Sequence, residues 1–130
     1  MHLSLTLAVA DLQQTENFYR EILLLSPLWG ETRAGMADFL VLHCGQTCIV
    51  FRQQEELEAR HPALLQNLSR HPRGVGVQLE FSCPDLSRVR RRIEHYRWPV
   101  SYELDDEEHR RREIWLHDPD GYLLVLNEEE

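Results

Sequence analysis

Glu80 is the residue of this sequence best placed to do chemistry. It stands in Val77-Gln78-Leu79-Glu80-Phe81, where polar and apolar residues alternate, so Gln78 and Glu80 share one face of an extended segment. Lining a partly dry cavity, such a carboxylate is a proton acceptor or an anchor for a cationic ligand; bridged to an arginine or set at a sheet edge, it is an ordinary surface group. Ser4 and Thr6 hold the equivalent face of Leu3-Ser4-Leu5-Thr6-Leu7, with His2 ahead of them. The remaining histidines, His43, His61, His71, His95, His109 and His117, form no H-x-x-x-H pair. Cys44, Cys48 and Cys83 form no C-x-x-C and are odd in number, so neither a zinc cage nor a disulfide framework is legible. No G-x-S-x-G elbow, phosphate loop or Cys-His signature supports nucleophilic catalysis.

The elements that must position these groups read as one unit written twice. In His2 to Ala10 the residues Leu3, Leu5, Leu7 and Val9 face one way, and Asp11 then caps a helix carrying Leu12, Thr15, Tyr19, Ile22 and Leu23 until Ser26-Pro27 stops it. Gly76 to Cys83 repeats the strand, and Asp85 opens a second helix with a stripe of Leu86, Val89, Ile93 and Tyr96. Its arginines, Arg88, Arg90, Arg91, Arg92 and Arg97, read as a solvated face. Extended segments follow each helix: Leu28 to Thr32, Ala37 to His43 and Thr47 to Arg52, then Val100 to Leu104, Glu113 to His117 and Tyr122 to Asn127. Turns at Cys44-Gly45-Gln46 and Asp118-Pro119-Asp120-Gly121 precede the last strand of each half. Asp85 stands 74 residues after Asp11, and Gly121 76 after Gly45; two copies of a strand-helix-strand-strand-strand unit follow from these offsets. The predicted class is α+β, with module one at 1–53, a short helical linker at 54–73 bounded by His-Pro pairs, and module two at 74–130.

Composition narrows the function. The chain has 130 residues, 42% of them hydrophobic, enough for a core without metal or disulfide staples. Fourteen basic residues, all arginine, against 22 acidic ones leave a net charge of −8, which disfavours nucleic acid as a partner. No apolar run is long enough to span a membrane, and no basic, apolar leader follows Met1, so the cytoplasm is the expected location.

Leu7-Ala8-Val9-Ala10-Asp11-Leu12 through Phe18-Tyr19, together with His117-Asp118-Pro119-Asp120-Gly121-Tyr122, resembles the signatures of the vicinal oxygen chelate superfamily of glyoxalases, bleomycin resistance proteins, extradiol dioxygenases and epimerases. The resemblance spans essentially the whole chain. It implies two βαβββ modules in tandem, each with a helix on one sheet face, and the open faces curved into a cup-shaped mixed sheet around a ligand. It also implies a homodimer, with clefts at or near the interface. Enzymes of the family hold one divalent metal in the cup. Carried over residue by residue, the four ligand positions are Ser4, Ile49, Gln78 and Val125, of which Ile and Val donate no electron pair and Ser is a poor ligand. The expectation is therefore a protein with no metal or other cofactor, and Glu80 as the one catalytic candidate. A set displaced by two residues, around His2, Glu80 and Asn127, is the contrary reading; each such step moves a ligand about 6.5 Å.

The predicted lining comprises Ser4, Thr6, Ile49, Phe51, Gln78, Glu80, Leu123, Val125 and Asn127, with Trp29, Phe39, Tyr102 and Trp115 at the rim. Apolar walls with a few polar groups describe a small-molecule pocket. The leading expectation is a binding protein of the glyoxalase/bleomycin resistance type that sequesters or senses a partly apolar ligand. The competing readings are a lyase, isomerase or dioxygenase with a displaced metal or Glu80 as base, and a noncatalytic interaction module whose cup is filled by its own side chains.

Overall fold

A computed structural model describes residues 1–30 and 37–129. The elements run β1 (Leu3–Val9), α1 (Leu12–Asn17), β2 (Leu28–Trp29), β3 (Leu40–Cys44), β4 (Thr47–Gln53), α2 (Gln54–Arg60), β5 (Gln78–Ser82), α3 (Leu86–His95), β6 (Val100–Asp106), β7 (Arg111–His117) and β8 (Leu123–Glu129). They form two four-stranded sheets ordered β1-β4-β3-β2 and β5-β8-β7-β6. In each sheet the first strand pairs in parallel with the last and the remaining pairs are antiparallel, so the α+β class and the duplicated βαβββ order are those read from the sequence. The second expected strand, Leu28 to Thr32, is shorter, and its last two residues lie outside the described ones.

Helices α1 and α3 start as their caps require. The Asp11 carboxylate accepts from the backbone N–H groups of Gln13 and Gln14 at 2.9 and 3.3 Å, and that of Asp85 from Arg88 at 3.1 Å. α1 passes into a wider π-helical turn over Phe18–Ile22, and the chain leaves it through Leu24 in the left-handed region (φ 58°). All five apolar-stripe residues of this first helix are buried. In α3 Leu86, Val89 and Ile93 are buried, but Tyr96, expected in the stripe, is 45% exposed. The helix has ended by then, Arg97 turns left-handed (φ 52°), and Trp98 fills the space against Phe18 instead.

Leu7, Val9, Leu40, Leu42, Ile49 and Phe51 of one module and Leu79, Ile114, Leu116, Leu124 and Leu126 of the other join a single core with both helices. The contacts between modules lie on this helix side. Phe18 meets Trp98 with ring centroids 4.9 Å apart, and Arg92 Nε donates to the Glu21 carbonyl at 2.8 Å. The modules are latched by the Asp118-Pro119-Asp120-Gly121 turn. Asp118, 4% exposed, accepts from Tyr19 Oη at 2.8 Å and from the N–H groups of Asp120 and Tyr122. Asp120 accepts from the Ala10 N–H at 2.8 Å and faces Arg73 at 3.4 Å, while Tyr122 Oη donates to the Ala8 carbonyl. Burial raises the pKa of Asp118 and Asp120 against the pull of these bonds, lifts Tyr19 well above its ordinary value, and pushes Tyr122 up to about 12.

Candidate functional site

Pairing register decides which side chains share the open face of each sheet. In module two, Glu80 pairs with Val125 and Val125 with Trp115, which pairs with Tyr102; in the next row Ser82 pairs with Asn127, Asn127 with Glu113, and Glu113 with Leu104. Gln78, Leu123 and His117 form the row on the other side. A bulge between Val100 and Tyr102 turns Tyr102 onto this face; an unbroken strand would have opposed Ser101 to Trp115. Thus Gln78, Glu80, Leu123, Val125, Asn127, Trp115 and Tyr102 all lie on one face.

The side chains there are tied together. Trp115 Nε1 donates to Glu113 Oε2 at 3.0 Å, Arg111 Nη2 donates to Glu113 Oε1 at 2.8 Å, and the Tyr102 and Trp115 rings meet edge to face with centroids 5.9 Å apart. The two hydrogen bonds, from the indole first and the guanidinium second, hold the Glu113 carboxyl below its ordinary pKa. Asn127, 8% exposed, donates through Nδ2 to Glu80 Oε1, while its Oδ1 is buried with no partner. Glu80 itself is exposed.

Module one corrects two of the lining residues. β1 pairs with β4 so that Ser4 opposes Cys48 and Thr6 opposes Val50, whereas Ile49 and Phe51 oppose Leu5 and Leu7 on the helix side. They are 4% and 0% exposed, and Phe51 stacks at 4.9 Å against Tyr19. The error is one residue: Ser4 to Cys48 spans 44 positions, and Gln78 to Leu123 spans 45. Aligning the two turn glycines hides that difference, and a one-residue slip moves a side chain to the opposite face. Val50 is therefore the counterpart of Val125. Trp29 pairs with Leu40 and lies on the helix side as well, so it does not join the rim. The open face of module one instead holds Ser4, Thr6, Cys48, Val50, Val41 and His43. Beside them Arg52 sits over the Phe39 ring at 4.4 Å.

Ser4, Thr6, Gln78 and Glu80 are all exposed. Because the modules meet through their helix sides, one chain does not fold its two open faces onto each other. β1 and β5 each have one hydrogen-bonded neighbour and are edge strands. Cys44 and Cys83 line a cleft of about 510 Å³ between the modules, walled by Leu23, Leu25, Phe81 and Val89 and reaching His43 and Glu80 of the two open faces. Burial raises the pKa of the Cys44 thiol and pushes that of Cys83 up to about 11, which disfavours the thiolate form that a nucleophile needs.

The family model of the Glyoxalase/Bleomycin resistance protein/Dioxygenase superfamily matches residues 2–126. The chain belongs to that superfamily. Its fold is that of a glyoxalase-related enzyme from Fulvimarina pelagi (14% identity, TM-score 0.73, covering 99% of this chain and 88% of that one). TioX from a Micromonospora species (16%, 0.70, 100% and 99%) and lactoylglutathione lyase from Agrobacterium tumefaciens (18%, 0.62, 98% and 92%) share it too. No curated protein matches the chain. The divalent ion held by the superfamily's enzymes does not suit the side chains of these faces. The β4 and β8 positions beside Thr6 and Glu80 are valines, Asn127 spends its amide on Glu80, and His2 stands at the start of the other sheet. Among the described residues no three His, Cys, Asp or Glu side chains group as a metal site.

Proposed function

We propose that this superfamily member is a small-molecule binding protein that works without a metal and sequesters or senses a partly apolar ligand on its open sheet faces. One observation carries the reading: valines, Val50 and Val125, stand where β4 and β8 face the open side. Around them the open faces offer apolar and aromatic surface with a few polar groups, a composition suited to holding a small molecule.

The working form is a homodimer in which module one of one copy closes over module two of the other. The unpaired edges of β1 and β5 support this. Nucleic acid is disfavoured by the net charge of −8. No helix among the described residues is long and apolar enough to cross a membrane. Three free cysteines suit a reducing compartment, and the cytoplasm is the location that fits.

Native mass spectrometry before and after incubation with Ni, Zn, Mn and Fe(II) tests this. A dimer taking up no stoichiometric metal is expected. One metal per subunit, lost in Glu80→Ala, overturns the metal-free reading, and a monomer at all concentrations overturns the closed dimer.

A further inference from the structure

We propose that the module-two face selects a planar, ring-bearing cation, which stacks on Trp115 while Glu80 takes its charge. The inference rests on the binding-protein reading and specifies the ligand class of the same site.

Three features of the face lead there. The first is a preset aromatic surface. Trp115 is half-buried, its indole N–H is held by Glu113 at 3.0 Å, Arg111 holds the second Glu113 oxygen at 2.8 Å, and Tyr102, 52% exposed, braces the ring edge-on. An indole fixed on a strand in this way loses little freedom when a flat ring stacks on it, and tryptophan is the best aromatic partner for a cation. Glu113 acts through Trp115 and is a positioning residue.

The second feature is the sign of the charge. Glu80 and Glu113 lie on this face with Arg111, and Arg111 is already committed to Glu113. Glu80 is exposed, with Oε1 engaged by Asn127, and keeps a second oxygen that can accept from a ligand, with Arg111 acting on it only through space. The third is the unpartnered Asn127 Oδ1, in a side chain more than nine-tenths buried. The amide orientation is fixed chemically: turned over, it would set its oxygen against the Glu80 carboxylate. The oxygen is closed off as the side chain stands, and a ligand that brings N–H groups would satisfy it once Asn127 shifts to expose it. An anion would meet Glu80, and an aliphatic cation would leave the Trp115 surface uncovered.

Calorimetric titration of the full chain with three probes tests this: 9-aminoacridine, planar, cationic and bearing N–H donors; 9-anthracenecarboxylate, planar and anionic; and cyclohexylammonium, cationic and without an aromatic ring. The tightest binding is expected for 9-aminoacridine. Trp115→Ala weakens it about tenfold, and Trp115→Phe retains most of it. Glu80→Gln, at an exposed position and still able to accept from Asn127, weakens it severalfold. Glu113→Gln keeps an acceptor for the indole and Glu113→Ala does not, so affinity and the near-ultraviolet dichroism of Trp115 fall in the order wild type, Gln, Ala. If 9-anthracenecarboxylate or cyclohexylammonium binds as tightly as 9-aminoacridine, or Trp115→Ala titrates like wild type, the inference is overturned and the binding-protein reading stands. If neither these probes nor a broad fragment screen yields any binding, both are overturned.

Discussion

The two modules share a topology and differ in what they do with it. On the helix side they match position by position: Leu12 and Leu86, Thr15 and Val89, Tyr19 and Ile93 are buried at the same offset, each helix opened by an aspartate cap. On the open side they have diverged. Module one presents hydroxyls, a thiol, two valines, a histidine and one arginine laid over Phe39. Module two presents two carboxylates, an amide with an unpaired oxygen and a braced indole. Packing constrains the shared side, where a methylene out of place is felt throughout the core, and leaves the solvent-facing side free to acquire binding chemistry.

Exchanging large for small on the two sides breaks this comparison most sharply. Phe51→Ala, fully buried against Tyr19, is expected to lower the unfolding free energy by about 3–5 kcal/mol in urea titrations. Trp115→Ala on the open face costs less and acts on ligand affinity. Equal losses at both positions would mean that the open face is core.

The junction comes next. Tyr19→Phe removes the hydroxyl donated to buried Asp118 and is expected to cost about 1.5–3 kcal/mol, as for a hydrogen bond to a charged group. The pH dependence separates the two regions by sign. Asp118 and Asp120 have raised folded pKa values, so their contribution to stability is greatest at low pH and is withdrawn as pH rises from the ordinary carboxylate range through those values. Glu113, lowered, contributes stability above its ordinary value that is lost as pH falls through the folded one. Asp118→Asn should therefore remove a slope of one sign and Glu113→Gln a slope of the other, measured by urea unfolding from about pH 2 to about pH 7.

Smaller effects sharpen the picture within module one. A Cβ at Gly30 meets the Phe39 ring at 2.1 Å, so Gly30→Ala must push the ring off its place beneath Arg52. Phe39 is half-buried and has room to move, which keeps the cost near the low end of overpacking, about 1 kcal/mol in thermal or urea unfolding. Glu113→Gln is smaller still, below about 1 kcal/mol, because its guanidinium partner is largely exposed.

Much of this is legible in the chain itself. Alternation in Leu3 to Val9 and Gln78 to Ser82, the caps at Asp11 and Asp85, and the buried helical stripes are local patterns, and period and capping chemistry fix them without reference to the rest of the molecule. They place Ser4 and Thr6 on one face and Gln78 and Glu80 on another. Ile49, Phe51 and Trp29 were misassigned because a strand's facing relative to its neighbour depends on pairing register, which a turn one residue shorter reverses. The bulge that brings Tyr102 to Trp115 has no local signature either.

The sequence by itself determined the repeated module, its helix side and the residue types available on each strand, because these follow from side-chain period and turn chemistry. The tertiary structure decided that the modules meet helix side to helix side, that a turn motif serves as the latch binding Tyr19 and Ala10, and that the two open faces stand apart within one chain. Those outcomes depend on contacts between residues some 100 positions apart, where burial of shared apolar surface and satisfaction of buried carboxylates outweigh any local preference.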